Sequence, residues 1–141
     1  MDGECTFCRI AAGTEPASIV YEDRLTLAFM DINQFAEGHV LVVPSTHYPD
    51  QMAIPDDVAA ALGVATRRVA RAVDAAFQPD GLTLWQSIRA AGGQDVFHLH
   101  WHVLPRFVAD GLVGIHPSRA RLPGRARLHE LAESIRDQLG E

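Results

Sequence analysis

The chain has 141 residues, 48% hydrophobic and 21% charged, with a formal net charge of −6. That size and balance fit one globular domain with its own core rather than a disordered or fibrous chain. The negative charge argues against a broad electrostatic grip on nucleic acid, and no apolar run approaches the roughly 18–20 residues that span a bilayer.

Met1-Asp2-Gly3-Glu4 is acidic where a secretory signal would be basic, so the cytoplasm is the expected compartment, with neither membrane nor nucleic acid as partner. Cys5 and Cys8 are the only cysteines and form one C-x-x-C. In a reducing compartment that pair points to a metal or a redox centre rather than a structural disulfide. Ile10-Ala11-Ala12-Gly13 predicts a short helical turn closed by glycine. Residues 18–22 and 25–30, joined at Asp23-Arg24, predict a β-hairpin with a tight polar turn, and residues 31–34 leave it as a loop. Residues 39–44 form a near-continuous apolar run, which predicts a central strand covered on both faces.

Pro55 with Asp56 and Asp57 suits a helix start, by fixed φ and by the dipole. Val58, Leu62, Ala65, Val69 and Val73 give that helix its apolar stripe, with Phe77 just beyond, and Arg67, Arg68 and Arg71 its solvated side. Pro79-Asp80-Gly81 ends it. Residues 82–86 read as the next strand, and residues 89–94 turn toward a histidine-rich segment. After a loop-rich stretch, Leu128, Leu131, Ile135 and Leu139 mark a final amphipathic helix. Together these elements predict an α+β domain, an antiparallel sheet with helices packed on it.

The stretch Phe97-His98-Leu99-His100-Trp101-His102-Val103-Leu104-Pro105 alternates strictly. As a strand it would project His98, His100 and His102 to one side, about 6.5–7 Å apart, and Leu99, Trp101 and Val103 to the other. Such a row of imidazoles suits a chain of phosphates, whereas a helix would scatter them. Pro105 has no N–H for a ladder and is expected to end the pairing. The residues alone leave three readings open: a His-rich solvated face, a zinc site, or nucleophilic catalysis by an imidazole. Grouped titratable residues favour a functional role.

The segment from His98 to Leu104 resembles the histidine-triad (HIT) signature. Supporting motifs stand in order: Cys5-Thr6-Phe7-Cys8-Arg9-Ile10, Tyr21-Glu22-Asp23, Ala28-Phe29-Met30-Asp31-Ile32, Gly38-His39-Val40-Leu41-Val42-Val43-Pro44, Ser45-Thr46-His47 and Gly92-Gly93-Gln94-Asp95-Val96. The likeness runs over about residues 4–108 and is greatest to the Hint-like branch, including bacterial members with an N-terminal C-x-x-C. It implies one HIT-like domain over residues 1–141, with about five antiparallel strands, one long central helix and a C-terminal loop and helix from residue 109.

The resemblance further implies chemistry at the α-phosphorus of a purine nucleotide conjugate. His100 would attack a phosphoramidate, ester or anhydride and carry the nucleotide until water releases it. His102 would donate to a phosphate oxygen or protonate the leaving group, and His98 and His39 complete the histidine set. Asp31 matches the acid that takes both ribose hydroxyls, and Phe7, Ile10, Phe29 and Ile32 match the slot for the base, where ordinary core packing is the plain alternative. Gln94 and Asp95 match residues at the α-phosphate and the leaving group. Ser87 stands where the family carries asparagine and Arg89 where it carries glycine; Ser87 can still donate a hydrogen bond, and Arg89 is expected to face water.

In C-x-x-C members the matching ligands of a structural zinc are Cys5, Cys8, His47 and His98. A redox role for the cysteines and a catalytic zinc on the triad are the alternatives at that site. For the chain as a whole they are a nucleotide-binding module with negligible turnover and a metal-dependent hydrolase. A homodimer is implied, paired through the long helix and the strand after the glycine loop. His116 and His129 lie outside every motif and read as surface residues.

Overall fold

The computed structural model describes residues 5–112 and 123–139. The chain divides into two compact units at Asp110 and Gly111. In the first, α1 (Thr6–Ala12) precedes β1 (Ile19–Glu22), β2 (Thr26–Met30) and β3 (Val40–Pro44). The long helix α2 (Asp56–Phe77) follows, then β4 (Gly81–Gln86) and β5 (Trp101–Arg106). The sheet has five strands in the order β1-β2-β3-β5-β4, every neighbouring pair antiparallel. This is the expected α+β architecture.

Strand alternation sorts two cores onto the two faces of the sheet. Ala28, Val40, Val42, Leu99 and Val103 meet Val58, Leu62, Ala65, Val69 and Val73 of α2. That is the stripe read from the helical period. Leu27, Phe29, Leu41 and Val43 point the other way and pack with Phe7 and Ile10 of α1. All five residues of β3 are buried, because both faces are covered. The β1–β2 turn is closed by Asp23, whose Oδ1 accepts from the amides of Leu25 at 2.9 Å and Thr26 at 2.8 Å.

Two expectations about β5 are corrected. The ladder starts at Trp101 rather than at residue 97, so of the triad only His102 lies within it. Upstream, the Leu99 amide donates to the Tyr48 carbonyl at 2.7 Å, which takes the backbone out of the β3 register before it reaches His98. Pro105 does not end the pairing: β5 runs to Arg106, with Pro105 opposite Leu82. The Asp80 amide donates to the Arg106 carbonyl, so Arg106 faces β4. The nitrogen of Pro105 therefore faces the β3 side, where the registered pairs have already stopped at Val103.

In the second unit, α3 (Arg125–Arg136) carries Leu128, Leu131 and Ile135, with Leu139 beyond its end, and buries none of its residues. His129 lies on it and is exposed, as expected, while His116 falls outside the described residues. Among the described residues no helix is long and apolar enough to cross a membrane.

Gly38, at φ +106°, abuts the last residue of α2: a Cβ there would lie 2.7 Å from the Phe77 ring. We expect Gly38→Ala to cost about 1–3 kcal/mol in denaturant titration, through strain and overpacking together. Adding Phe77→Leu should relieve only the steric part. A fully additive double mutant would show that the ring contact contributes nothing.

Candidate active site

His100 is buried, and its Nδ1–H donates to the backbone carbonyl of His98 at 2.9 Å. With the proton held on Nδ1, the unshared pair of the neutral ring is on Nε2. Nε2 lies 3.7 Å from Oδ1 of Asp95, whose side chain is 83% exposed. An acceptor nitrogen thus stands at the edge of solvent, in the form a nucleophile needs.

His102 is placed by its neighbours in the ladder, Leu41 on β3 and Trp85 on β4. Its Nδ1 is 3.0 Å from Nε2 of His39, and Nδ1 of His39 faces Oδ2 of Asp31 at 3.6 Å. The carboxylate assigns the His39 proton to Nδ1, so Nε2 of His39 accepts from Nδ1–H of His102. That leaves the unshared pair of His102 on its own Nε2. Burial, then the neighbouring His100 and His39, push His102 down to about 3, against the opposing pull of Asp95. Burial also lowers His39, with Asp31 opposing. Both rings are therefore neutral at neutral pH.

His100 and His102 open on a cavity of about 810 Å³. Of the residues predicted to hold a nucleotide, Phe7, Ile10, Phe29, Asp31, Ile32 and Asp95 line it, together with His100 and His102. Phe7, Ile10 and Phe29 are buried and belong to the core as well as to the cavity wall. Ile32 is 96% exposed and forms the rim. Asp31 accepts from the Asn33 amide through Oδ1 at 2.9 Å, which aims the carboxylate.

Ser87 and Gln94 are not among the residues lining the cavity. The Gln94 carboxamide is occupied internally: Oε1 accepts from the Arg89 amide at 2.7 Å, and Nε2 donates to the carbonyls of Pro49 at 2.6 Å and Val96 at 3.0 Å. It braces the glycine loop. Ser87 lies beneath Gly93, its Oγ 3.4 Å from where a Cβ would stand, and Arg89 is exposed at φ +64°.

His98 turns its ring away from the triad row toward the cysteines. Its Nδ1 lies 3.3 Å from Sγ of Cys5 and 3.5 Å from Sγ of Cys8, and Nδ1 of His47 lies 3.3 Å from Sγ of Cys8. One ligand atom from each of Cys5, Cys8, His47 and His98 falls within 4.8 Å of every other. A tetrahedral zinc with Zn–S about 2.3 Å and Zn–N about 2.0 Å has S···N edges of about 3.5 Å, so this donor set fits the ion. His98 Nε2–H donates to the Pro44 carbonyl at 2.9 Å, leaving Nδ1 as the ligand nitrogen.

One residue was not singled out by the sequence at all. Trp85 stacks on His102 with centroids 4.0 Å apart and 3° between planes. Its only signal in the sequence is its place on β4, which gains meaning once the β4–β5 register is known.

A five-stranded antiparallel sheet in which β5 and its approach bring His100 and His102 to a cavity and turn His98 toward the cysteines defines a histidine-triad protein. The chain belongs to the HIT domain family, whose model matches residues 12–109. It is 37% identical over 136 residues to Protein hit of Bacillus subtilis, covering 96% of this chain and 94% of that one. It is 35% identical over 112 residues to an adenylylsulfatase of Arabidopsis thaliana, covering 79% of this chain and 57% of that protein. It also resembles the crystal structure of a Zn-bound histidine triad family protein from Mycobacterium smegmatis, with a TM-score of 0.75, 34% identity and coverage of 99% and 97%.

The low value of His102 carries a sign. Between about pH 6.5 and about 3 the unfolded chain takes up a proton at this ring that the folded chain refuses, so stability falls as pH drops through that window. We expect His102→Gln to lose this dependence, so that thermal midpoints shift in the variant's favour between pH 6.5 and 4. A constant difference across that range would contradict the assignment.

Proposed function

We propose that this protein is a nucleotide hydrolase that cleaves at the α-phosphate of a purine nucleoside phosphoramidate, ester or anhydride through a nucleotidyl-histidine. The observation that carries the reading is the His98 carbonyl on Nδ1–H of His100, which presents Nε2 as the nucleophile beside the cavity. In the first step His100 Nε2 forms a bond to phosphorus as the bond to the leaving group breaks. The departing group takes the bonding pair and, where it is an amine or alcohol, a proton from solvent at the mouth of the cavity. In the second, water attacks the same phosphorus, His102 Nε2 takes its proton, and His100 is regenerated with release of the nucleoside monophosphate. The hydrogen bonds support His102 as proton acceptor in the hydrolysis step. Asp95 stands where the leaving group departs.

The buried faces of Phe7, Ile10 and Phe29 suit a purine, and Asp31 keeps lone pairs for the ribose hydroxyls. His39 acts through His102. Gln94 and Ser87 support the glycine loop rather than touch the nucleotide. The adenylylsulfatase relative supports adenylyl conjugates as the substrate class. We further propose a cytoplasmic homodimer, a reading supported by the exposed Val64 on α2 and Leu84 on the edge strand β4.

We also propose that Cys5, Cys8, His47 and His98 hold a structural zinc. The donor geometry and the zinc-bound relative support it. Four protein ligands would close the coordination sphere, so the ion would supply a cross-link between α1, the loop after β3 and the approach to β5.

We expect His100→Ala to abolish release of AMP from adenosine 5′-phosphoramidate while AMP affinity, by calorimetry, stays within about three-fold, as for loss of a transition-state contact only. Full turnover by the variant would remove the mechanism, and saturable binding without a product burst in the native protein would leave a binding module. Stripping the metal with a strong chelator should lower the thermal midpoint by about 5–10 °C. Cys5→Ser should do the same and be insensitive to chelator. Selective loss of turnover with the midpoint unchanged would instead indicate a catalytic metal.

A further inference from the structure

We propose that Trp85 is a positioning residue: its indole face sets the plane of the His102 ring and so keeps Nδ1 on His39 and Nε2 toward the phosphate. The inference rests on the hydrolase reading above and assigns a role to a residue outside the triad motif.

Trp85 and His102 are direct partners across the β4–β5 ladder. Cross-strand neighbours touch in any case, but touching does not require parallel rings. Edge-to-face and offset arrangements are the common ones, and the other ring contacts of the triad follow that pattern. Phe7 meets His100 at 86°, and His100 meets His102 at 64°. His39, which shares the hydrogen bond with His102, is tilted 30° from it. Only the indole lies flat against the ring, at 3° and 4.0 Å between centroids.

A fixed plane leaves His102 two settings, related by a half-turn about χ2. One puts Nδ1 on Nε2 of His39 at 3.0 Å; the other puts a carbon there and breaks the bond. The indole excludes the intermediate angles that connect the two settings. It also meets the reaction directly: when His102 takes a proton from water, the imidazolium lies on an aromatic face, a favourable cation–π geometry. Trp85 is not among the residues lining the cavity, whereas His102 is. Positioning and nucleotide binding are therefore separable by experiment.

The test compares Trp85→Phe and Trp85→Leu in the full-length, metal-loaded protein, with adenosine 5′-phosphoramidate as substrate and AMP as binding probe. Trp85→Leu should lower kcat by about 10–30-fold, part of the roughly 10²–10⁴-fold that positioned proton transfer supplies. KM and the AMP dissociation constant should stay within about two-fold, since the lost contact acts on the transition state. Trp85→Phe, which keeps a flat face, should recover most of the rate. Nitrogen-15 spectra of the imidazoles should show His102 protonated on Nδ1 alone in the native protein and in Trp85→Phe, and averaged over both tautomers in Trp85→Leu.

A native-like kcat in Trp85→Leu, or an unchanged single tautomer, would overturn the proposal. Parallel loss of kcat, AMP affinity and thermal midpoint would overturn it too, by reducing Trp85 to packing. Should the native protein release no AMP, the hydrolase reading fails, and the tautomer spectra still decide the role of Trp85.

Discussion

The structure turns on one hydrogen bond, from Nδ1–H of His100 to the carbonyl of His98. A neutral imidazole has one donor nitrogen and one acceptor nitrogen, and whichever is tied up decides which is free to react. Here the tie is backbone, the least mobile acceptor available, so the nitrogen left with its unshared pair is chosen by the path of the chain. His98 is itself held at three points: its ring reaches both cysteine sulfurs and the Pro44 carbonyl. The residue whose carbonyl orients His100 is thus anchored in the four-donor cluster, and the cluster and the proposed reaction centre are joined through His98.

The sheet supplies the second constraint. Leu41, His102 and Trp85 are neighbours across three adjacent strands, and Val40, Val103 and Leu84 are the next rank. Because side chains alternate, the first rank lies on the face that carries α1 and the cavity, and Val103 of the second packs under α2. One strand thereby anchors itself in a core and presents chemistry on its reverse. Burial on that reverse face keeps His102 and His39 neutral, the form the proposed proton acceptor needs.

Much of this was legible in the residues, where local periodicity carries it. The α2 stripe, the buried β3 run and the hairpin at Asp23 follow from spacing and turn chemistry. The triad motif and the C-x-x-C with His47 named four residues that the fold brings together. What alternation could not supply was the ladder. It shows which residues share a face, and it is blind to where pairing begins, so residues 97–100 read as strand although Leu99 had left for Tyr48. Pro105 was misread for the same reason, since the harm done by a missing N–H depends on which side has a neighbour. Gln94 and Trp85 were opaque because their partners, Pro49 and His102, are distant in sequence.

The central claim is that His100 is covalently modified during turnover. Rapid-quench mass spectrometry of the native protein mixed with adenosine 5′-phosphoramidate tests it most directly. We expect one transient adenylyl group on the peptide that contains His100, rising before free AMP and decaying as AMP appears. AMP formed at the full rate with no adduct, or an adduct on another residue, would contradict it.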